Sequence, residues 1–152
     1  ANLRPSTLDD LGLLATAQWF CRDLSGLYAG IRITPSFNLE ETDIPEAYKI
    51  VLYRVMQEAL SNAAKHSGAE NIQVVLTKVN NFIEMSITDN GGGFELDRVM
   101  GGEDTLSGFG INSMRERVEI CEGRFDIQTR IGEGTRIKVL LPVQSGNAAY
   151  PP

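Results

Sequence analysis

Two pairs of short apolar-alternating runs, each closed by a turn, constrain this chain more than any other feature. Residues 71–79 (NIQVVLTKV) and 82–89 (FIEMSITD) are separated only by Asn80-Asn81, residues that tolerate positive φ and suit a tight hairpin turn. Residues 124–131 (RFDIQTRI) and 134–142 (GTRIKVLLP) flank a Gly-Glu-Gly turn and repeat the pattern. Strands joined this way are antiparallel neighbours, so the sheet is not a stack of parallel βαβ units.

Helical patterns surround the hairpins. Residues 7–29 place Leu8, Leu11, Leu14 and Leu24 at helical spacing, with Ser6 or Thr7 as a cap and Asp9 and Asp10 in the first turn. Ile31, Ile33 and Phe37 alternate around Pro35, which suits a short edge strand. A long helix of about six turns is expected from Ile44, with Pro45 in its first turn behind a Thr42 or Asp43 cap, to a stop at Gly68 in the left-handed conformation. Residues 111–122 return to helical spacing through Met114, Val118 and Cys121 and stop at Gly123. The order predicts an α+β fold, a two-layer sandwich with helices on one face of a mixed, mainly antiparallel sheet.

The chain has 152 residues, 42% of them hydrophobic, enough for one domain with a real core. Its 20 acidic residues outnumber 14 basic ones and leave a net charge of −6, which argues against a nucleic-acid surface. No run approaches the roughly 18 apolar residues of a membrane span, and no secretory signal opens the chain. A soluble, cytoplasmic domain is the expectation. Cys21 and Cys121 lack metal-site spacing and are expected to be reduced thiols.

Three clusters carry chemistry. Within EALSNAAKH, residues 58–66, Glu58, Asn62, Lys65 and His66 project within roughly 60° of Val51 and Val55 on a helical wheel, so the polar groups are expected to continue a buried stripe and to need a partner there. An Asn oxygen suits Mg²⁺, a nearby Glu can hold a metal-bound water or act as a base, and Lys65 can meet phosphate. Asp89, at the end of a strand, precedes Asn90-Gly91-Gly92-Gly93. A carboxylate there can accept a hydrogen bond from an exocyclic amine while the glycines let a planar ring approach the backbone. Gly108-Phe109-Gly110 opens the last helix, where unpaired N–H groups favour phosphate. Taken singly, each cluster also fits an ordinary helix end, turn or helix start. A dinucleotide fingerprint fails because GxGxxG is missing and no parallel unit surrounds the glycines, and no P-loop sequence occurs. The glycine-rich stretch from 90 to 110 is expected to be a mobile loop.

As a set, EALSNAAKH, DNGGGF, GFG and GEGT resemble, in order and separation, the N box, G1 box, G2 box and closing hairpin of the ATP-binding catalytic domain of sensor histidine kinases, in the gyrase, Hsp90, histidine kinase and MutL ATPase superfamily with its Bergerat-type fold. INSMRERVEICEG and LRPSTLDDLGLL are similar to the subclass paired with helix-turn-helix response regulators, although Ile111 stands where Leu is commoner and Ser113 where Gly is common. The resemblance implies that residues 1–30 end a dimerisation region, that 31–143 form the catalytic domain and that 144–152 are a disordered tail. It implies ATP and Mg²⁺ as cofactors, with Asn62 as the metal ligand, Glu58 positioning or activating a water or nucleophile, and Lys65 and His66 beside the phosphates. Asp89 would hold the adenine amine, Gly91 and Gly93 would shape the base pocket, Gly108 and Gly110 would hinge a lid, and Thr135 would lie on the adenine side. The implied partners are the dimerisation and histidine-phosphotransfer domain of the same homodimeric kinase, whose full-length form is compatible with a membrane anchor, and, indirectly, a response regulator. The isolated domain itself would be a monomer without membrane contact. The only histidine, His66, lies in the N box, so the phosphate acceptor is expected outside this chain. A stand-alone serine/threonine kinase of the anti-sigma type and a nucleotide-gated binding module are the alternatives.

Overall fold

A computed structural model describes residues 5–96, 110–143 and 150. The order is α1 (Ser6–Leu27), β1 (Arg32–Asn38), a 3-10 turn (Glu41–Asp43), α2 (Glu46–His66), β2 (Asn71–Val79), β3 (Phe82–Asp89), α3 (Ile111–Ile120), β4 (Arg124–Thr129) and β5 (Thr135–Pro142). The five strands form one sheet in the order β1-β2-β3-β5-β4. Only β1 and β2 pair in parallel; the other ladders are antiparallel. Asn80 closes the first hairpin at φ 53°, and Gly132 and Gly134 take positive φ in the second, as their turn chemistry requires. Pro35 lies in β1, at the sheet edge where a missing N–H donor is tolerated.

The pairing register aligns one face of the sheet into rows. Val74, Ile87, Ile137 and Ile127 form one row, and Leu76, Met85, Val139 and Phe125 the next. These residues are buried with Leu52, Val55, Met56, Ala59 and Leu60 of α2 and with Ile111, Met114 and Val118 of α3. Leu8, Leu13, Ala17, Cys21 and Leu24 of α1 belong to the same core. Cys21 and Cys121 are free thiols, and burial raises Cys21 to a pKa of about 11.

Three local expectations change. Neither Ser6 nor Thr7 caps α1, whose N-cap is Pro5. Gly12 breaks that helix at φ 88°, so the spacing slips: Leu13 is buried while Leu11 remains 65% exposed. The second helix begins at Glu46 with Pro45 as its N-cap, because Thr42 and Asp43 are used by the preceding 3-10 turn, where Glu40 and Asp43 form a reciprocal capping box. Gly68 takes the left-handed position after α2 as expected. Tyr150 packs on the Phe82 ring at 4.9 Å, with the Arg124 guanidinium 4.2 Å from its own ring centre, and its hydroxyl donates to the Glu122 carbonyl. The rest of the tail from 144 lies outside the described residues.

The break at Gly12 is capped from a distance. Glu41 accepts hydrogen bonds from Leu13 N at 2.8 Å and Leu14 N at 2.9 Å, and Lys49 pairs with it at 2.9 Å. A Cβ at Gly12 would meet the Glu41 carboxylate. Burial pushes the Glu41 carboxyl up, but the Leu14 N–H, the Lys49 ammonium and the Leu13 N–H together hold it below the usual carboxylate value. Replacing it with Ala should lower unfolding stability by about 1–2 kcal/mol, the size of a lost helix cap. With a folded-state pKa below the unfolded one, this contribution is complete above the unfolded value and is lost as pH falls through the folded one. Denaturant titrations of wild type and Glu41→Gln should therefore differ near neutrality and converge as the pH falls through the folded-state pKa, which lies below the ordinary Glu value of about 4.3; a gap that persists in strong acid contradicts the capping role.

Candidate nucleotide-binding site

At one end of the sheet the apolar rows stop. The last row reads Ile72, Asp89, Thr135 and Thr129 across β2, β3, β5 and β4, so a carboxylate and two hydroxyls occupy the face that elsewhere holds Ile, Val and Met. Asp89 is only 9% exposed. Its Oδ1 accepts from Gly91 N at 2.8 Å. Burial raises its pKa, and the Gly91 and Thr135 backbone N–H groups oppose that rise. Thr129 and Thr135 share a hydroxyl–hydroxyl bond of 2.8 Å.

Above this row opens a cleft between the sheet and helices α2 and α3. Ile87, Ile127, Ile137, Ile111 and Met114 make its walls apolar, and Asp89, Thr135, Asn62, His66 and Ser67 supply the polar groups. Apolar walls with a few convergent polar groups describe a small-molecule site. A second, polar cleft adjoins it, lined by Arg54, Gln57, Glu58, Ser61, Lys65, Ser113 and Arg117. Asn62, His66 and Met114 line both clefts and so form their common wall.

Close backbone contacts fix the segment after β3. A Cβ on Gly91 would lie 2.5 Å from the Ser67 Cβ and carbonyl oxygen, and one on Gly93 would overlap the Arg130 carbonyl. A Cβ on Gly134 would overlap the Asp89 carbonyl. Gly92 N donates to Ser67 O at 2.7 Å, Gly132 N to Gly92 O at 2.6 Å, and Phe94 N to Thr129 Oγ1 at 3.1 Å. On the other side Asn90 Oδ1 accepts from Glu70 N and Asn71 N, both at 3.0 Å. The end of β3 is thus tied to the end of α2 and to the β4–β5 turn, and Asp89 is held between them. This is the local reason for glycines at 91 and 93: neighbouring backbone passes where a side chain would stand.

The polar stripe of α2 needs a correction. The buried arc of this helix is Leu52, Tyr53, Val55, Met56, Ala59, Leu60 and Ala63, and Val51 and Val55 mark one edge of it rather than its centre. Glu58, Lys65 and His66 are exposed and only Asn62 is half-buried. The four residues flank the core along the two clefts instead of continuing the buried face. Gly110 takes φ 62° as the N-cap of α3, and the Glu58 carboxylate stands where its Cβ would be. Gly108 and Phe109, with the rest of 97–109, lie outside the described residues. Sequence reasoning missed Ser67 and Thr129 and gave Asn90 and Gly134, within DNGGGF and GEGT, no role of their own; these roles come from contacts distant in the chain. It also missed Arg54 and Arg117, which helical spacing alone does not distinguish from surface charge.

Residues 47–145 match the family described as histidine kinase-, DNA gyrase B-, and HSP90-like ATPase. The chain belongs to this ATPase family. Among curated relatives, the signal transduction histidine-protein kinase/phosphatase DegS of Bacillus subtilis is 35% identical over 142 residues, which cover 92% of this chain and 36% of DegS. The chain thus spans about a third of that relative's length. The histidine kinase domain of a blue-light activated histidine kinase from Erythrobacter litoralis superposes with a TM-score of 0.71 at 16% identity, covering 86% of this chain and 61% of that one. A longer structure of the same Erythrobacter protein gives the same score over 42% of its length. The structural likeness bears on the fold, and the ATPase family membership implies ATP as ligand.

If backbone proximity dictates the glycines, Gly93→Ala should cost about 2 kcal/mol or more, because it adds both a positive-φ penalty and an overlap with the Arg130 carbonyl. Gly92→Ala is the control, since its Cβ would sit 3.6 Å from Ser67 O, and should change stability by less than about 1 kcal/mol. Chemical denaturation of the two variants checks the difference; equal losses contradict it.

Proposed function

We propose that this chain is the ATP-binding catalytic part of a two-component sensor histidine kinase, transferring the γ-phosphoryl group of ATP to a histidine on a dimerisation domain. The observation that supports it best is the joining of an apolar cleft, with one buried carboxylate, to a polar and cationic cleft across Asn62 and His66. The adenine ring lies between Ile87, Ile137 and Met114, and its exocyclic amine donates to Asp89. Thr135 completes the polar side of the base. The phosphates leave past Asn62 and His66 toward Lys65.

Mg²⁺ fits this donor set. Among the described residues no cluster of three or more His, Cys, Asp or Glu side chains exists, whereas Mg²⁺ with nucleotides takes one or two protein oxygens and completes its shell with phosphates and water. Asn62 supplies an amide oxygen at the wall between the clefts, and Glu58 stands one helical turn away. When bound, the ion neutralises charge on the phosphates. Glu58 is the group that orients the incoming nucleophile, Lys65 and His66 line the phosphate path, and Gly91 and Gly93 shape the base end. Positioning and electrostatics carry most of such a transfer.

The subclass paired with helix-turn-helix response regulators, a homodimeric full-length kinase and a cytoplasmic location are parts of the same reading. Among the described residues no helix is long and apolar enough to cross a membrane. The direct test incubates the protein with γ-labelled ATP and a supplied dimerisation domain. Acid-labile label on that domain is the expected result. Acid-stable label would favour a serine/threonine kinase, and binding without transfer a nucleotide-gated module.

Two substitutions separate base from metal recognition. Asp89→Asn replaces a pure acceptor by a group that also donates, and should weaken ATP and ADP together by about 5- to 150-fold; unchanged affinity by calorimetry refutes the base assignment. Asn62→Ala should leave the ligand-free stability within about 1 kcal/mol of wild type and remove most of the stabilisation that Mg·ATP confers. An unfolded variant, or one fully stabilised by Mg·ATP, means that Asn62 is structural.

A further inference from the structure

We infer that Arg54 and Arg117, from the two helices that wall the polar cleft, grip the terminal phosphoryl group of the nucleotide. The inference rests on the reading that adenine occupies the apolar cleft. On α2 the residues that line both clefts are Asn62 and His66; moving away from the base, the helix then presents Glu58 and finally Arg54 to the polar cleft alone. Arg54 stands eight residues, about 12 Å of helix, beyond Asn62. On α3 the shared residue is Met114, and Arg117, one turn further on, lines only the polar cleft. On each helix the cleft-lining residue farthest from the shared wall is therefore an arginine.

The two side chains are half-buried, unlike the exposed Lys65. Arg54 is also held in place: its Nη1 donates to Gln57 Oε1 at 2.9 Å, and its guanidinium stands 5.9 Å from the centre of the Tyr53 ring. A guanidinium already oriented loses little freedom on binding, and its planar fork matches two phosphate oxygens at once. Three cationic side chains, Arg54, Lys65 and Arg117, face one carboxylate, Glu58, in this cleft, although the whole chain carries −6. Charge of that sign, concentrated against the overall balance, suits a polyanion. The distance from the shared wall assigns the arginines to its far end rather than to the phosphate next to the ribose.

The test is a calorimetric series of AMP, ADP and ATP, with Mg²⁺, on wild type, Arg54→Gln and Arg117→Gln. Each substitution should weaken ATP by about 10-fold or more and leave AMP within about twofold, so that the preference for ATP over AMP collapses. Arg117→Lys, which keeps the charge without the fork, should recover part of the loss. Equal weakening of AMP and ATP, or unchanged ATP affinity, overturns the inference while leaving the base site intact. A wild-type protein that binds no adenine nucleotide refutes the underlying reading instead. Thermal unfolding without ligand accompanies each variant; should Arg54→Gln fail to fold through loss of the Gln57 contact, Arg117→Gln decides alone.

Discussion

The site depends on backbone passing backbone at the end of β3. Gly91 against Ser67, Gly93 against Arg130 and Gly134 against Asp89 are approaches that no side chain would permit. Together they clamp one strand end between the last turn of α2 and the second hairpin. A carboxylate in that position cannot relax toward solvent, and its raised pKa reflects the burial. A carboxylate in a mostly apolar cleft is costly even with the Gly91 and Thr135 N–H groups on it. Such a group is informative because a ligand with a complementary donor recovers that cost on binding.

The sheet supplies the second half of the arrangement. Antiparallel register places Asp89, Thr135 and Thr129 in one row on the face that the helices cover, so the site is the point where a hydrophobic core becomes a polar cleft. Helix α2 crosses that boundary. Its central turns bury Leu52, Val55, Met56 and Ala59 in the core, and its margin carries Glu58, Asn62, Lys65 and His66 along the opening. One helix therefore anchors the fold and lines the route that the phosphates are proposed to take.

Much of this was legible before the structure. Turn chemistry at Asn80 and at Gly132 to Gly134 specified both hairpins, and strand alternation specified which residues they bury, because both signals are local. The four polar residues of EALSNAAKH were recognisable as a group, yet their relation to the core was misjudged: two valines at the edge of the buried arc served as its centre, and single-helix periodicity carries no information about what packs on either side. Leu11 failed for a related reason. Gly12 interrupts the helix there, and the cap that stabilises the break, Glu41, lies 28 residues away from Leu13. Ser67 and Thr129 matter through partners far along the chain, which spacing within one element does not reveal.

The central claim is that the row ending in Asp89 receives the adenine of ATP. Amide chemical shifts of the labelled protein, followed while ADP is added, test it most directly. The account predicts large, saturable shifts at Ile87, Asp89, Gly91, Thr135 and Ile137 and small ones on β1 and the outer face of α1. Shifts confined to the polar cleft around Lys65 and Arg117, with Asp89 and Gly91 unmoved, would show that the protein holds phosphate but not the base, and would contradict the account.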